Sequence, residues 1–233
     1  MVTIKSKKEI ELMREACKVV ALTHKAIEEN IKPGMSTYEL DQMAEKFILS
    51  KGGIPSQKNY PSGVKGVPNF PATLCVSIND TVIHGIPSKK QIIKDGDIVS
   101  LDAGLIYKGY HSDAARTIGV GQISKEAQKL IDVTRQSFFE GIKKAIVGNR
   151  LFDISAAIGD YAVSEGYGVV YDLAGHGIGK NLHEEPEIPN YRVRWPRKGV
   201  KLRPGMTLAV EPMINVGSPQ VMWLDDEWTV VTA

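Results

Sequence analysis

The sequence predicts a mixed α/β (α+β) domain for three reasons. Two N-terminal segments have capping boxes followed by apolar residues at helical spacing, and two further helical segments come later in the chain. Apolar runs of strand length stand between and after the helical segments. The 233 residues, 42% of them hydrophobic, can bury a substantial core in one large domain or two small ones.

Four helices are expected, each from a recognisable start. The expected starts are Ser6 and Ser36, which open capping boxes with Glu9 and Glu39, and then Ser124 and Asp153. The third helix is expected to be long and to end near Val147, and the fourth to be shorter. In the first helix His24 lies on the apolar face, which is typical of a core histidine and not of a ligand.

Seven apolar runs are interpreted as strands, at residues 74–78, 98–102, 105–107, 114–120, 168–171, 207–211 and 228–231. Residues 54–72 are rich in proline, glycine and serine and predict a long loop. A loop of that length in a compact domain is usually functional.

Two stretches of the chain resemble each other and suggest an internal repeat. Residues 96–102 parallel residues 205–211 at an offset of 109, and both stretches end on a carboxylate, Asp102 and Glu211. We interpret residues 1–233 as one catalytic domain of two pseudo-symmetric halves, 1–121 and 122–233. Chance similarity of two helix–strand segments is the alternative.

Composition excludes several classes of protein. A net charge of +2 implies no general affinity for nucleic acid or membrane. Cys17 and Cys75 lie far apart and form no CxxC motif, which argues against a disulfide framework and against a thiolate zinc site. The first nine residues contain no apolar signal segment, and a cytoplasmic location is expected.

Asp102 and Asp113 flank a segment that predicts a β-hairpin turning at Lys108–Gly109. With a two-residue turn, Asp113 opposes Gly104, which shares a face with Asp102 because side chains alternate. The two carboxylates are then diagonal neighbours about 7–8 Å apart at the backbone, close enough to converge on a cation. The alternative is a pair of solvated aspartates.

His176 lies in the segment Gly175–Gly179, where three glycines let the backbone bend around one imidazole. A phosphate-binding loop is excluded, because the P-loop pattern needs glycine at position 174 and serine or threonine at 181. The zincin pattern is excluded because no second histidine follows His183 at the required spacing. Carboxylates with one imidazole favour manganese, iron, cobalt or zinc.

His84 and His183 also lie in turns rich in glycine or proline. Either one alone is more often structural. Neutral imidazoles close to a metal-activated water can donate a hydrogen bond to a carbonyl oxygen or carry a proton.

Five motifs together resemble the successive signatures of type I bacterial methionine aminopeptidases. They are Val82–Pro87, Asp97–Asp102, Gly109–Asp113, Gly175–Gly179 and Gly205–Pro212, in order and at compatible spacings over nearly the whole chain. The resemblance implies a pita-bread fold with internal pseudo-twofold symmetry, its curved antiparallel sheet flanked by helices. It also implies a site for two divalent metal ions (Mn, Co, Fe or Zn) and removal of the initiator methionine from nascent polypeptides by a monomeric enzyme.

The resemblance also implies roles for individual residues. Asp102, Asp113, His176 and Glu211 would be metal ligands, with Asp113 bridging both ions. Glu211 would also serve as general base, and His183 would contact the scissile amide and the developing oxyanion. His84 would help to position the substrate. The methionine side chain would be bound by Phe70, Cys75 and Trp228, for which ordinary core packing is the alternative.

The sequence departs from the family pattern at its last ligand. The family has a second bridging glutamate shortly after the segment that matches residues 228–231, whereas this chain stops at Ala233. A C-terminal strand is therefore expected to be missing, and a sequence that omits its final residues is favoured over a naturally truncated enzyme. If this is the whole protein, we expect one ion or none, weak metal binding and little activity.

Five basic residues stand within ten positions: Arg192, Arg194, Arg197, Lys198 and Lys201. They could form a transient contact with ribosomal RNA, which suits an enzyme acting on nascent chains. A solvated loop is the alternative that we favour.

Two other functions remain open from the sequence. A pita-bread binding module that has lost catalysis would explain the missing glutamate, but not the retained acids and histidines. A different exopeptidase, such as a proline-directed one, would share the fold.

Overall fold

The computed structural model describes residues 1–194, 196 and 198–233. Over these residues the chain forms four α-helices: α1 Lys7–Glu28, α2 Thr37–Ser50, α3 Lys125–Ile142 and α4 Leu151–Ser164. The strands are β1 Ile54–Pro55, β2 Leu74–Ile78, β3 Thr81–Ile83, β4 Ile98–Tyr107, β5 Tyr110–Gly119, β6 Gly168–Val169, β7 Ala174–Gly177, β8 Glu184–Pro189, β9 Leu208–Ala209, β10 Ile214–Asn215, β11 Val221–Trp223 and β12 Val230–Thr232. The strand pairs with a described register are antiparallel, and the predicted mixed α/β class is confirmed. No helix among the described residues is long and apolar enough to cross a membrane.

The chain divides into two compact units. Unit 1 contains residues 1–10, 128–221 and 232–233, and unit 2 contains residues 11–127 and 222–231.

Both predicted capping boxes are present at the starts of the first two helices. The Ser6 N–H donates to the Glu9 carboxylate over 2.7 Å, and the Ser36 N–H donates to Glu39 over the same distance. Each serine hydroxyl accepts in turn from the backbone N–H of its glutamate. These reciprocal bonds satisfy N–H groups that a helix start otherwise leaves unpaired.

In unit 2, α1 and α2 pack against a sheet in which β4 is central. Strands β1, β2 and β5 all pair with β4. The buried apolar side chains of this core come from both helices and from β2 and β4: Ala16, Val20, Ile27, Leu40, Ala44, Ile48, Leu74, Val76, Val99, Leu101, Ala103 and Leu105.

The β4–β5 hairpin is longer than predicted. Ten residue pairs run without a register shift from Ile98 opposite Gly119 to Tyr107 opposite Tyr110. The turn residues Lys108 and Gly109 have φ values of 51° and 82°, as a tight two-residue hairpin turn requires. The two short strands predicted at 98–102 and 105–107 are one strand. Asp102, expected to be the last residue of a strand at 98–102, therefore lies inside β4, and Asp113, expected just before a strand at 114–120, lies inside β5.

In unit 1, α4 buries Leu151, Ile154 and Ile158 against Ile188 of β8 and Leu202. Strand β7 lies between β8 and β9. The prediction that His176 lies in a turn was wrong, because His176 is part of β7.

Glycine makes the close approach of these strands possible. A Cβ added at Gly175 would lie 2.3 Å from the Ala209 carbonyl oxygen, and one at Gly177 would lie 2.1 Å from the Glu185 carbonyl oxygen. Backbones this close leave no room for a side chain on either side of His176.

Candidate active site

The two aspartates of unit 2 have the relationship that the hairpin predicts. Asp113 lies opposite Gly104, and Asp102 lies opposite Ala115. Because side chains alternate along each strand, Asp102 and Asp113 share one face as diagonal neighbours. Both are only partly exposed. The strands therefore present two carboxylates on the same face.

His24 supports the strand that carries Asp113. Its ring is fully buried, and Nε2 lies 2.7 Å from the carbonyl oxygen of Ala114. Since a carbonyl only accepts, Nε2–H is the donor. Burial lowers the pKa of His24, which keeps the ring neutral near pH 7. The prediction of a core histidine is confirmed.

His176 and Glu211 form the corresponding pair in unit 1. Nδ1 of His176 lies 2.8 Å from the Gly177 carbonyl oxygen and must therefore donate to it. In a neutral ring this leaves a lone pair on Nε2, which lies 3.1 Å from a carboxylate oxygen of Glu211. Two acceptors this close attract each other only through a proton or a cation between them. A backbone bond at the second ring nitrogen is also how metal-binding histidines are usually oriented.

Asn190 is a site residue that sequence analysis missed. Its side chain is fully buried, and its Nδ2 donates to the backbone carbonyl of Glu211 over 2.7 Å. Glu211 follows the short strand β9, so this bond fixes the backbone where the strand ends. A lone asparagine after a proline carries no sequence signal for such a role.

His183 lies beside His176, with ring centroids 4.2 Å apart and planes inclined at 68°. It stands directly before β8 and is exposed, whereas its neighbour Leu182 is buried. The structure thus brings together three of the predicted residues of unit 1: His176, His183 and Glu211.

His84 follows β3 in a left-handed conformation with a φ of 56°. Its ring lies edge to face with the indole of Trp228, with centroids 6.0 Å apart. Burial lowers the pKa of His84, so the imidazole is neutral at pH 7. The next residue must be glycine, because a Cβ at Gly85 would lie 2.2 Å from the Val76 carbonyl oxygen.

The three residues expected to line the methionine pocket lie in one apolar cluster of unit 2. Phe70 and Cys75 are buried, and Phe70 packs edge to face with Trp228 at a centroid distance of 5.3 Å. The cluster also contains Tyr60 and Ile86, which sequence analysis missed. The indole N–H of Trp228 donates to the Pro68 carbonyl over 2.9 Å. Residues 54–72 form a loop as predicted, except for the short strand β1. This loop supplies Tyr60 and Phe70 to the cluster.

The basic segment is only partly available to a partner. Arg192 forms a two-point ion pair with Asp160, one of whose bonds measures 2.9 Å. Arg194, Lys198 and Lys201 are exposed. Arg197 lies outside the described residues.

Comparison with known proteins shows what the chain resembles. Residues 11–231 match Metallopeptidase family M24. The chain belongs to this family. The chain is also 52% identical over 233 residues to a methionine aminopeptidase from Clostridium perfringens, covering 100% of this chain and 90% of that protein.

Solved structures agree with the sequence match. The crystal structure of a methionine aminopeptidase from Thermotoga maritima has a TM-score of 0.92 and 38% identity, covering 100% of this chain and 90% of the other. An Xaa-Pro dipeptidase from Bacillus anthracis has a TM-score of 0.73 and 30% identity, and only 54% of that chain is covered. The resemblance to bacterial methionine aminopeptidases and the predicted pita-bread fold are confirmed.

Proposed function

We propose that this chain is a metal-dependent methionine aminopeptidase that removes the initiator methionine from nascent polypeptides with a small second residue. The main support for this proposal is the 52% identity to a methionine aminopeptidase over the full length of this chain. The alternative of a binding module without catalysis is not favoured, because four metal-ligand candidates and both site histidines are retained and only the family's last glutamate is absent from residues 1–233. We treat residues 1–233 as one catalytic domain.

We propose that Asp102, Asp113, His176 and Glu211 hold divalent metal ions. Carboxylate oxygens with one imidazole nitrogen suit manganese, cobalt, iron or zinc, and two ions is the number that the resemblance implies. The facing acceptors of His176 and Glu211 support this assignment, because a cation between them would make both interactions attractive. When bound, such ions lower the pKa of a coordinated water and polarise the peptide carbonyl.

The remaining chemistry comes from side chains of the protein. Glu211 would accept a proton from the attacking water at a carboxylate oxygen, as a general base. His183 is exposed beside His176 and would donate from its imidazole to the oxyanion that develops on the scissile carbonyl. His84, kept neutral by burial, would hydrogen-bond the substrate backbone.

The methionine side chain would be bound by the apolar cluster of Phe70, Cys75 and Trp228. Aromatic rings suit a thioether, since sulfur makes favourable contacts with ring edges. Such a pocket would select methionine by shape and apolar surface.

We further propose that the enzyme acts as a monomer in the cytoplasm. A transient ribosome contact through the basic segment is the hypothesis to be tested against the solvated loop that the sequence favours. Arg194, Lys198 and Lys201 are exposed and would supply the charge, whereas Arg192 is already paired. Reversal of Arg194 and Arg197 to glutamate should weaken cosedimentation with ribosomes, and more so at low salt. Unchanged cosedimentation would leave only a solvated loop.

Methionine release from a Met-Gly-Met peptide with added Mn²⁺ or Co²⁺ tests the function. We expect release by the native chain, which is slow if residues 1–233 are the whole protein. Release by Glu211→Gln should be far slower, and Glu126→Gln, which changes an exposed glutamate of α3, should have the native rate. An Xaa-Pro peptide should not be cleaved. Metal binding without release would favour the binding module, and cleavage of Xaa-Pro alone would favour a proline-directed enzyme.

Calorimetric titration with Mn²⁺ tests the metal site separately. If residues 1–233 are the whole protein, we expect weak binding of one ion per chain and its loss in Asp113→Asn, and two tight sites would contradict that expectation. A chain that gives no heat with Mn²⁺, Co²⁺ or Zn²⁺ would contradict the assignment of these ligands.

A further inference from the structure

The first residues of the chain are anchored by a buried ion pair. Lys5 is only 8% exposed, and its Nζ lies 2.6 Å from a carboxylate oxygen of Glu184. The Thr3 hydroxyl donates to the same carboxylate. The Lys5 backbone N–H donates to the Gly205 carbonyl over 2.7 Å. Lysine is rarely buried without a partner, so this contact is built into the fold.

Glu184 also closes the turn that precedes it. Its second carboxylate oxygen accepts from the Asn181 backbone N–H over 3.2 Å. Glu184 is the first residue of β8 and pairs with Gly177 of β7. The C-terminal end of segment 178–183 is therefore held by the Glu184 side chain and by the pairing of Glu184 with Gly177.

The turn is shaped so that Lys5 can lie over it. A Cβ at Gly179 would lie 2.5 Å from Cε of Lys5 and 2.6 Å from a carboxylate oxygen of Glu184. Glycine at this position leaves the space that the ion pair occupies.

His183 is the exposed residue between two fixed neighbours. Leu182 is 5% exposed, and the Glu184 side chain is 9% exposed. Their burial fixes the backbone on both sides of His183, while the imidazole itself remains accessible beside His176.

We propose that Lys5 and Glu184 are positioning residues, whose buried ion pair fixes the turn at residues 178–183 and so orients the His183 imidazole toward the substrate. This inference rests on the proposed function, in which His183 stabilises the oxyanion. A catalytic donor must be held close to its productive geometry, and a displacement of about 1 Å can cost about 100-fold in rate.

Lys5→Met and Glu184→Gln test the proposal in methionine-release kinetics. We expect kcat to fall about 10- to 100-fold in each, with KM changed much less, because the oxyanion forms only in the transition state. The double variant should lose no more than the worse single variant, because either change alone breaks the pair. Lys7→Met, which changes an exposed lysine two residues on, should behave as the native chain.

Gly141→Ala controls for simple loss of stability. Its added Cβ would lie 2.6 Å from a side-chain carbon of Ile158, so this variant should destabilise the packing of α3 on α4 without touching the turn. It should keep kcat at temperatures where it remains folded. Equal losses of kcat in Gly141→Ala and Lys5→Met would overturn the positioning role.

Hydrogen–deuterium exchange separates this inference from the proposed function. Amides 178–183 should exchange faster in Lys5→Met than in the native chain or in Lys7→Met, whether or not the protein releases methionine. A native chain that releases no methionine would refute the proposed function alone. Unchanged exchange in the turn, or unchanged kcat in a folded Lys5→Met variant of an active enzyme, would refute the positioning role.

Discussion

The Nε2 atom of His176 lies 3.1 Å from a carboxylate oxygen of Glu211, while Nδ1 of the same ring donates to the carbonyl of Gly177. In a neutral His176 ring, this bond to the backbone fixes the proton on Nδ1 and directs the lone pair of Nε2 toward the Glu211 carboxylate. A neutral imidazole and an ionised carboxylate in this arrangement are poised for a shared cation.

Replacement of Glu211 by glutamine should abolish most of the activity without unfolding the protein. The amide keeps the shape and the backbone bond from Asn190, but it loses the charge that binds metal and accepts a proton. General-base catalysis alone contributes about 10²- to 10⁴-fold, so we expect kcat to fall at least that much. Steady-state methionine release measures it, and calorimetry with Mn²⁺ should show weaker binding. A variant with native kcat would exclude Glu211 as the base.

Replacement of Gly175 by alanine should destabilise the protein by about 1–3 kcal/mol or more. Its Cβ would lie 2.3 Å from the Ala209 carbonyl oxygen, and the pairing of β7 with both β8 and β9 opposes relaxation. Urea unfolding measures the change. Gly53→Ala is the control, because its added Cβ would lie 3.1 Å from the Cγ2 methyl of Ile48, a contact that a shift of a few tenths of an ångström relieves. Equal stabilities of the two variants would mean that β7 can move away from β9.

The contribution of Glu184 to stability should depend on pH. Burial by itself would raise the pKa of Glu184, but hydrogen bonds from Lys5, Thr3 and the Asn181 N–H outweigh it and hold the pKa at about 2, below the ordinary 4.5. A carboxylate whose pKa is lowered by folding stabilises the folded state at pH values above its pKa in the unfolded chain. That stabilisation is lost as the pH falls through its pKa in the folded state. Glu184→Gln should therefore cost about 1–3 kcal/mol at pH 7, from about 1.4 kcal/mol per pKa unit reduced by solvent screening.

The difference in stability between the native chain and Glu184→Gln should shrink between pH 4.5 and pH 2, where the Glu184 carboxylate of the native chain becomes protonated. Urea unfolding at several pH values measures it, with Glu126→Gln as a control that should show no such dependence. A stability difference that stays constant over this range would show that the ion pair is not its source.

Replacement of Trp228 by phenylalanine should weaken substrate binding more than catalysis. The variant keeps an aromatic ring but loses the donor to Pro68, which holds the indole against the cluster. One hydrogen bond contributes about 1 kcal/mol, so we expect KM for a methionyl peptide to rise about 5-fold. Trp223→Phe is the matched control, because Trp223 is 48% exposed and lies outside the cluster. If both variants have the native KM, the cluster does not bind methionine.

Parts of this architecture follow directly from local rules. Period-two alternation and a Lys-Gly turn fixed the relation of Asp102 to Asp113, and the structure keeps that register without a bulge. The capping boxes at Ser6 and Ser36 place the starts of the first two helices, because their hydrogen bonds involve only residues three apart.

Other parts depend on tertiary contacts that no local pattern reports. Strand β7 is half glycine, and it is a strand only because β8 and β9 pair with it on both sides. Strand β8 contains two prolines and three glutamates, a composition typical of loops. The partnership of Lys5 with Glu184 joins residues 179 positions apart.

The anchoring of Lys5 has a practical consequence for work with this protein. An affinity tag or fusion partner attached at the amino terminus begins only four residues from the buried ammonium group. A bulky or strongly charged tag there would compete with the seating of Lys5, and a preparation could lose turnover while remaining folded. Purification tags at that end therefore call for a long, uncharged spacer.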